Sequence, residues 1–300
     1  MPARILASFS ALLIASSPAA AESRQPAYVV DLPAHVGSVF VADTGDATLL
    51  RFETTSDGLV LRDRSYMSIG QHGVGKARAW DRKTPLGIYF VVDQLDTRGL
   101  HEKYGVTAFP LDYPSVWDRH QGRSGDGIWV HGVLEGGGKR PPLDTDGCLA
   151  LPNDALRSLE AHFVPLTTPV IVTREVDWVA AGALATLRDD LDDALQRWRM
   201  AIGAADADAY LALYADDFRY RGLGRSEWAA FRRGAIVEQG AVDASIIDRI
   251  LLADPEEEGL YLARFLLRTR GADGTTTVLK RLYWRRDGTG SLRIVAEDNG

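Results

Sequence analysis

The stretch Ile128-Trp129-Val130-His131-Gly132 is an apolar strand that ends on a histidine. Seventeen positions after that histidine stands Cys148, in Thr145-Asp146-Gly147-Cys148-Leu149-Ala150-Leu151, a glycine turn feeding a second apolar strand. Short β-prone runs of this kind recur from Tyr28 to about Val172, among them Val39-Phe40-Val41-Ala42 and Gly87-Ile88-Tyr89-Phe90-Val91-Val92. Gly, Pro and Asp punctuate them, which predicts a β-rich domain. One helix interrupts it, beginning near Asn153, where Pro152-Asn153-Asp154 supplies a cap and early negative charge before the stripe Ala155, Leu156 and Leu159. It ends before Pro165, and Val170-Ile171-Val172-Thr173 is the last strand of this part.

Cys148 is the single cysteine of 300 residues, so it has no internal disulfide partner. A thiol attacks an amide only as thiolate, and an imidazole within about 2.6 to 3.2 Å accepts its proton. His131 is the candidate base. Gly147 lets a carbonyl approach closely, and the N–H groups of Gly147 and Cys148 are candidate donors to a tetrahedral oxyanion. The remaining histidines, His35, His72, His101, His120 and His162, have no such frame. His72, flanked by Gly70 and Gly73, is kept as a substrate contact. The spacing of His131, Asp146 and Cys148 matches no closed zinc site, so no metal and no other cofactor is expected.

A net charge of −7 leaves no excess of cations to neutralise phosphates, which excludes nucleic acid as a partner class. Arg4, the apolar run Ile5 to Ile14 and then Ala19-Ala20-Ala21 form a signal peptide over residues 1–21. The apolar run is well short of the ~20 residues that span a bilayer. The expectation is an exported, periplasmic protein with no stable membrane insertion after cleavage near Glu22.

Composition changes after Asp177. Ala180 to Met200 has helical spacing, a second helix is expected over Ala207 to Ala215 and a third around Ser226 to Gln239. Three alternating runs follow, Ala244 to Ala253, Gly259 to Thr269 and Thr275 to Arg286, then a strand Ser291 to Val295, with hairpin turns at Asp273-Gly274 and Asp287-Gly288. Helices first and a curled antiparallel sheet afterwards is an α+β plan. The boundaries are thus 26–175 for the first domain and 180–300 for the second. Asp189-Asp190 with Asp192-Asp193, and Glu256-Glu257-Glu258, are solvated faces rather than calcium loops. Trp80, Trp117, Trp129 and Trp178 are candidates for stacking on sugars, with core packing as the alternative for Trp129.

His131-Gly132 followed by Thr145-Asp146-Gly147-Cys148 resembles the catalytic signature of the YkuD-type L,D-transpeptidases. Lys83-Thr84-Pro85-Leu86-Gly87-Ile88-Tyr89 looks like the Thr-Pro-x-Gly-x-Phe/Tyr strand of that family. Leu111-Asp112-Tyr113-Pro114 with Asp118-Arg119 resembles its branch of YafK-like proteins and helical-shape L,D-carboxypeptidases. The resemblance spans about residues 60 to 175. It implies a mixed β-rich catalytic domain and an acyl-enzyme on Cys148 made from peptidoglycan stem peptides, with release of D-alanine and transfer to an amine. With water as acceptor the same chemistry is an L,D-carboxypeptidase, and a non-catalytic wall-binding protein is the reading from another class. Gly147, Gly132 and Thr145 are the expected orienting residues, and Tyr113, Asp118 and Arg119 the expected groove lining. Many relatives carry histidine and arginine where this chain has Asp146 and Ala150; Asp146 is expected to turn outward or to pair with Lys139 or Arg140. Tyr210-Leu211-Ala212-Leu213-Tyr214-Ala215-Asp216-Asp217-Phe218 resembles the cone of SnoaL-like, or nuclear-transport-factor-2-like, domains. That implies a smaller α+β domain of a kind that can hold a ligand or a catalytic pair or serve as a binding module; no clear catalytic set stands in this stretch, so a role in wall binding or in a homodimer is expected.

Overall fold

In the computed structural model, which describes residues 24–300 except 57, 138 and 273, the strand Ser38–Asp43 is buried along its whole length. Successive side chains of a strand point to opposite faces, and here both faces are covered. Phe40 and Ala42 enter one core with Leu49, Val130, Leu149, Leu151, Leu156 and Phe163. Val39 and Val41 enter another with Leu50, Phe52, Ile88, Phe90, Ile250, Leu252, Leu262 and Tyr283. This is why the segment reads as a continuous apolar run instead of an alternating one.

Ser38–Asp43 is the centre of a five-stranded mixed sheet in the order Gly58–Tyr66, Thr48–Thr55, Ser38–Asp43, Pro169–Thr173, Gly87–Phe90. Against its first face lies a small sheet of Leu149–Ala150, Trp129–His131 and Ala108–Pro110, together with the helix Asn153–Leu159. Its second face packs on the carboxy-terminal part of the chain.

That part is a seven-stranded sheet wrapped around helices. Its order is Leu223–Gly224, Tyr214–Tyr220, Leu292–Asp298, Gly274–Arg286, Leu260–Gly271, Asp243–Ala253 and finally Val29–Asp31. Phe265, Leu282, Trp284 and Ile294 turn inward to the helices Ala185–Gly203 and Arg225–Gln239, while Leu262, Tyr283 and Val295 turn outward to the first sheet. The α+β class with two units holds. At about 1.5–3 kcal/mol for each fully buried large aliphatic side chain, the apolar seam between the sheets rivals the whole ~5–15 kcal/mol stability of a domain. The two units are therefore fixed to each other. Arg281 adds a polar clamp: it pairs with Asp298 at 2.6 Å and with Asp112 of the first unit, whose other oxygen accepts the Phe90 N–H at 2.7 Å.

Several local expectations need correction. The helix at Ala207 stops at Leu211, and Tyr214 already belongs to a strand whose partner, Leu292–Asp298, lies far along the chain. Val29–Asp31 precedes the first sheet in sequence yet pairs with Asp243–Ala253 of the second. At the second hairpin the positive φ of 82° belongs to Gly290, and Asp287 closes the turn through the N–H groups of Thr289 and Ser291. The outward face of the large sheet is occupied by the first sheet. The signal peptide expected over residues 1–21 lies outside the described residues. Among the described residues no helix is long and apolar enough to cross a membrane.

Candidate active site

Trp129–His131 runs between Ala108–Pro110, antiparallel to it, and Leu149–Ala150, parallel to it. The parallel register sets Leu149 beside Val130 and Ala150 beside His131. Leu149 and Val130 point into the core. By the period of two, Cys148 and His131 therefore share the opposite face, two positions apart on neighbouring strands.

Glycines and hydroxyls hold both. Gly147 has φ +128°, and a Cβ there would sit 2.7 Å from the Lys83 carbonyl oxygen. The Thr84 hydroxyl donates to the Gly147 carbonyl at 2.9 Å and accepts the Gly70 N–H at 2.9 Å. The Thr145 hydroxyl donates to the Cys148 carbonyl at 2.7 Å and accepts the Gly147 N–H at 3.0 Å. Thr145 and Gly147 thus orient the cysteine backbone. The Gly147 N–H is already spent, which removes it from the expected oxyanion donors. At Gly132 an added Cβ would meet Asn153 Oδ1 at 2.3 Å. Asn153 clasps the backbone of Val133 through both ends of its amide, at 2.9 and 2.8 Å. The cap expected from Pro152-Asn153-Asp154 is not formed by a side chain: Pro152 holds the cap position, and no side chain caps this helix.

The thiol donates to the Gly127 carbonyl at 3.3 Å and accepts the Trp129 N–H at 3.4 Å. Burial pushes it up to about 11, against the pull of the Trp129 N–H and of the nearby Lys103 charge. Burial likewise pushes His131 down to about 4, with the Gly132 carbonyl working the other way. His131 Nδ1 lies 2.6 Å from that carbonyl oxygen, which can only accept. The proton is therefore on Nδ1 and the Nε2 lone pair is open. At neutral pH the resting pair is thiol and neutral imidazole, not an ion pair.

Tyr104 and Lys103, which sequence reasoning passed over, complete the rim. The Tyr104 ring meets His131 edge-on at 5.2 Å and Trp129 at 4.7 Å. Lys103 reaches Asp146 at 3.3 Å, and Arg82 approaches the same carboxylate at 4.0 Å. Asp146 does turn outward, but its partners are not the expected ones: Arg140 pairs with Asp144 and Lys139 lies over the Tyr66 ring. Ala150 is buried and exchanges hydrogen bonds with Ser68.

The expected groove residues are placed elsewhere. The Tyr113 ring is buried, with its hydroxyl on the Ser124 carbonyl. Asp118 is buried as the capping-box residue of Val116–His120 and pairs with Arg123 at 3.0 Å. Arg119 faces the second unit through Asp298, in a cavity of about 830 Å³ that Arg219, Arg221 and Arg281 also line. His72 is exposed, its Nδ1 on the Asp81 carbonyl at 2.9 Å. Among the described residues, none of the four hydrogen-bonds to, pairs with or stacks on Cys148 or His131.

Comparison with known proteins accords with this layout. Two solved structures share the fold over nearly the whole length. One is Bd1075 from Bdellovibrio bacteriovorus, with TM-score 0.75 and 22% identity over 92% of this chain and 98% of that one. The other is Pgp2, the helical cell shape determining protein of Campylobacter jejuni, with TM-score 0.75 and 23% identity over 87% and 91%. No curated protein matches by sequence. The family model of the YkuD L,D-transpeptidase catalytic domain matches residues 30–172, from the strand that crosses to the second sheet through the last strand of the first. Residues 30–172 are an L,D-transpeptidase catalytic domain of the YkuD family.

Proposed function

We propose that the protein is a peptidoglycan L,D-transpeptidase of the cell envelope in which Cys148 is the nucleophile and His131 the general base. The observation that carries this is the register of Trp129–His131 with Leu149–Ala150, which sets thiol and imidazole on one face with Nε2 open. Substrate displaces the thiol from its long contact with Gly127, His131 takes the S–H proton, and sulfur attacks the carbonyl carbon of the stem peptide's third residue. As the C–N bond breaks, His131 returns the proton to the leaving D-alanine amine and a thioester remains. An acceptor amine then gives a proton to His131 and attacks the thioester; the C–S bond breaks and the thiol is restored. The near-neutral resting pair suits a buried site, because charge then develops only when substrate has closed it.

A second reading, L,D-carboxypeptidase, takes water in the last step. It is favoured by Ala150, which is buried where many relatives carry a cation for a substrate carboxylate. Intact-protein mass spectrometry with a tetrapeptide is the test. A mass increase on the wild type that Cys148→Ala abolishes is the expected result, and its decay in amine or in water assigns the acceptor. No adduct and an unchanged muropeptide profile would leave only a wall-binding role.

A further inference from the structure

Of the four tryptophans considered for sugar stacking, three are engaged in packing. Trp117 stacks on His120 and Tyr283, Trp129 lies against Tyr104, and Trp178 against Phe52. Trp80 is different: it is 96% exposed, and its backbone has φ +63°. A bulky residue in the left-handed region carries a steric cost that glycine would avoid, and an indole in water forfeits the burial that usually justifies it. Folding alone gives no reason for tryptophan at this position.

The turn that displays it is firmly built. Asp81 accepts the N–H groups of Ala77 at 2.8 Å, Arg78 at 3.1 Å and Lys83 at 3.1 Å, and pairs with Lys76 at 2.8 Å. The Lys76 and Asp81 side chains are only 3% and 10% exposed. Burial works against the Asp81 charge, yet Lys76 and the three N–H donors hold the carboxyl well below the usual carboxylate range. The ring is thus presented on a scaffold that loses little freedom when something binds.

The same turn is one wall of the thiol's surroundings. Lys83 lies against Gly147, and Arg82 reaches Asp146. Trp80 is three residues from Lys83, at most about 10 Å of chain. If the third residue of a stem peptide sits at Cys148, two residues and a short linker separate it from the sugar, a similar reach. The exposed patch is one ring between the exposed side chains of Arg78 and Arg82. A protein interface needs about 800 Å² per partner and several clustered anchors, whereas the apolar face of one sugar ring matches one indole, with hydroxyls and carboxylates left for the flanking cations.

We propose that Trp80 is a saccharide platform, on which an N-acetylated amino sugar of the wall strand stacks while that strand's stem peptide enters the Cys148 site. The proposal rests on the transpeptidase reading for the identity of the strand, but its test does not depend on turnover. In the full chain carrying Cys148→Ala, calorimetry compares a disaccharide-tetrapeptide, the free tetrapeptide and the peptide-free disaccharide. With Trp80 present the disaccharide-tetrapeptide binds roughly tenfold more tightly than the free peptide, the scale of one well-placed aromatic contact. Trp80→Gly removes that advantage, abolishes disaccharide binding, and leaves the free-peptide affinity and Tm unchanged or raises Tm by relieving the backbone. An advantage that survives Trp80→Gly, equal binding of both peptides with Trp80 present, or a lower Tm in the variant would each overturn the proposal. A sugar that binds through Trp80 in a protein that forms no thioester would instead count against the catalytic reading alone.

Discussion

Two clusters of buried polar groups in this molecule are built in opposite ways. Inside the carboxy-terminal cone, the Tyr214 hydroxyl lies 2.7 Å from Glu297, 2.5 Å from the Tyr210 hydroxyl and 3.2 Å from Trp198 Nε1, with Arg232 on Tyr210 and Lys280 near Glu297. Burial and the Glu297 charge raise Tyr214 well above the ordinary phenol value, so its proton stays. These groups are committed to one another. At the other cluster the thiol holds two backbone partners at 3.3 and 3.4 Å, and the imidazole is tied at one nitrogen only. Saturated networks make a fold rigid; under-committed ones leave bonding capacity for a substrate.

The largest expected effect breaks this comparison on the catalytic side. His131→Gln removes the proposed base and should lower the rate of thioester formation by about 10²–10⁴, read by the time course of the mass adduct, with Tm little changed. A rate within a few-fold of wild type would mean that the thiol is ionised by another group.

Next in size is the response to acid. His131 is pushed down to about 4 from a free value near 6.5, so the unfolded chain binds the proton more readily between those values. The contribution of this group is complete above about pH 6.5 and is lost as pH falls towards 4, a loss of roughly 3 kcal/mol at most. Denaturant titrations of wild type and His131→Gln should differ in slope over that window and run parallel below it. Thioester formation should keep its acid limb near pH 4, where the imidazole finally protonates. A limb near 6.5 would place His131 in water.

On the cone side, Tyr214→Phe deprives Glu297 and Trp198 of a shared partner. It should cost about 1–3 kcal/mol of stability while thioester formation with a free tetrapeptide stays at the wild-type rate. An activity loss as large as the His131 effect would show that the cone's network serves the chemistry.

How much of this was legible beforehand follows the same divide. Cys148, His131 and their glycines stand in short local motifs, so residue type and spacing were enough to single them out, and the β-rich plan followed from runs such as Val39-Phe40-Val41-Ala42. What escaped is non-local. Lys103 meets Asp146 across 43 positions, and Tyr214 meets Glu297 across 83. Ala207 to Ala215 carries helical propensity throughout, but the waiting edge of Leu292–Asp298 takes Tyr214 into a strand. Pro152-Asn153-Asp154 has the composition of a helix start, but the Asn153 amide holds the backbone of Val133, 20 positions away, a partner that no local pattern reveals. Asp112, noticed only within a family motif, is a clamp between the sheets.

The smallest expected effect tests whether the rim follows the rule of exposed charges. Asp146 stands two positions before Cys148 with its side chain 62% exposed and shared between Lys103 and Arg82. Its charge raises the thiol and Lys103 lowers it, both after burial, so the two rim charges oppose each other. Exposed pairs of this kind are worth about 0–1 kcal/mol, which corresponds to a rate change of at most about fivefold for Asp146→Asn. The direction should be faster, because the variant removes the negative charge and leaves Lys103 acting on the sulfur alone, and the gain should shrink in high salt. A slower variant, or a change of a hundredfold that salt does not alter, would mean that Asp146 binds the stem peptide directly. The departure from the family signature at this position would then be a determinant of substrate choice rather than a tolerated surface charge.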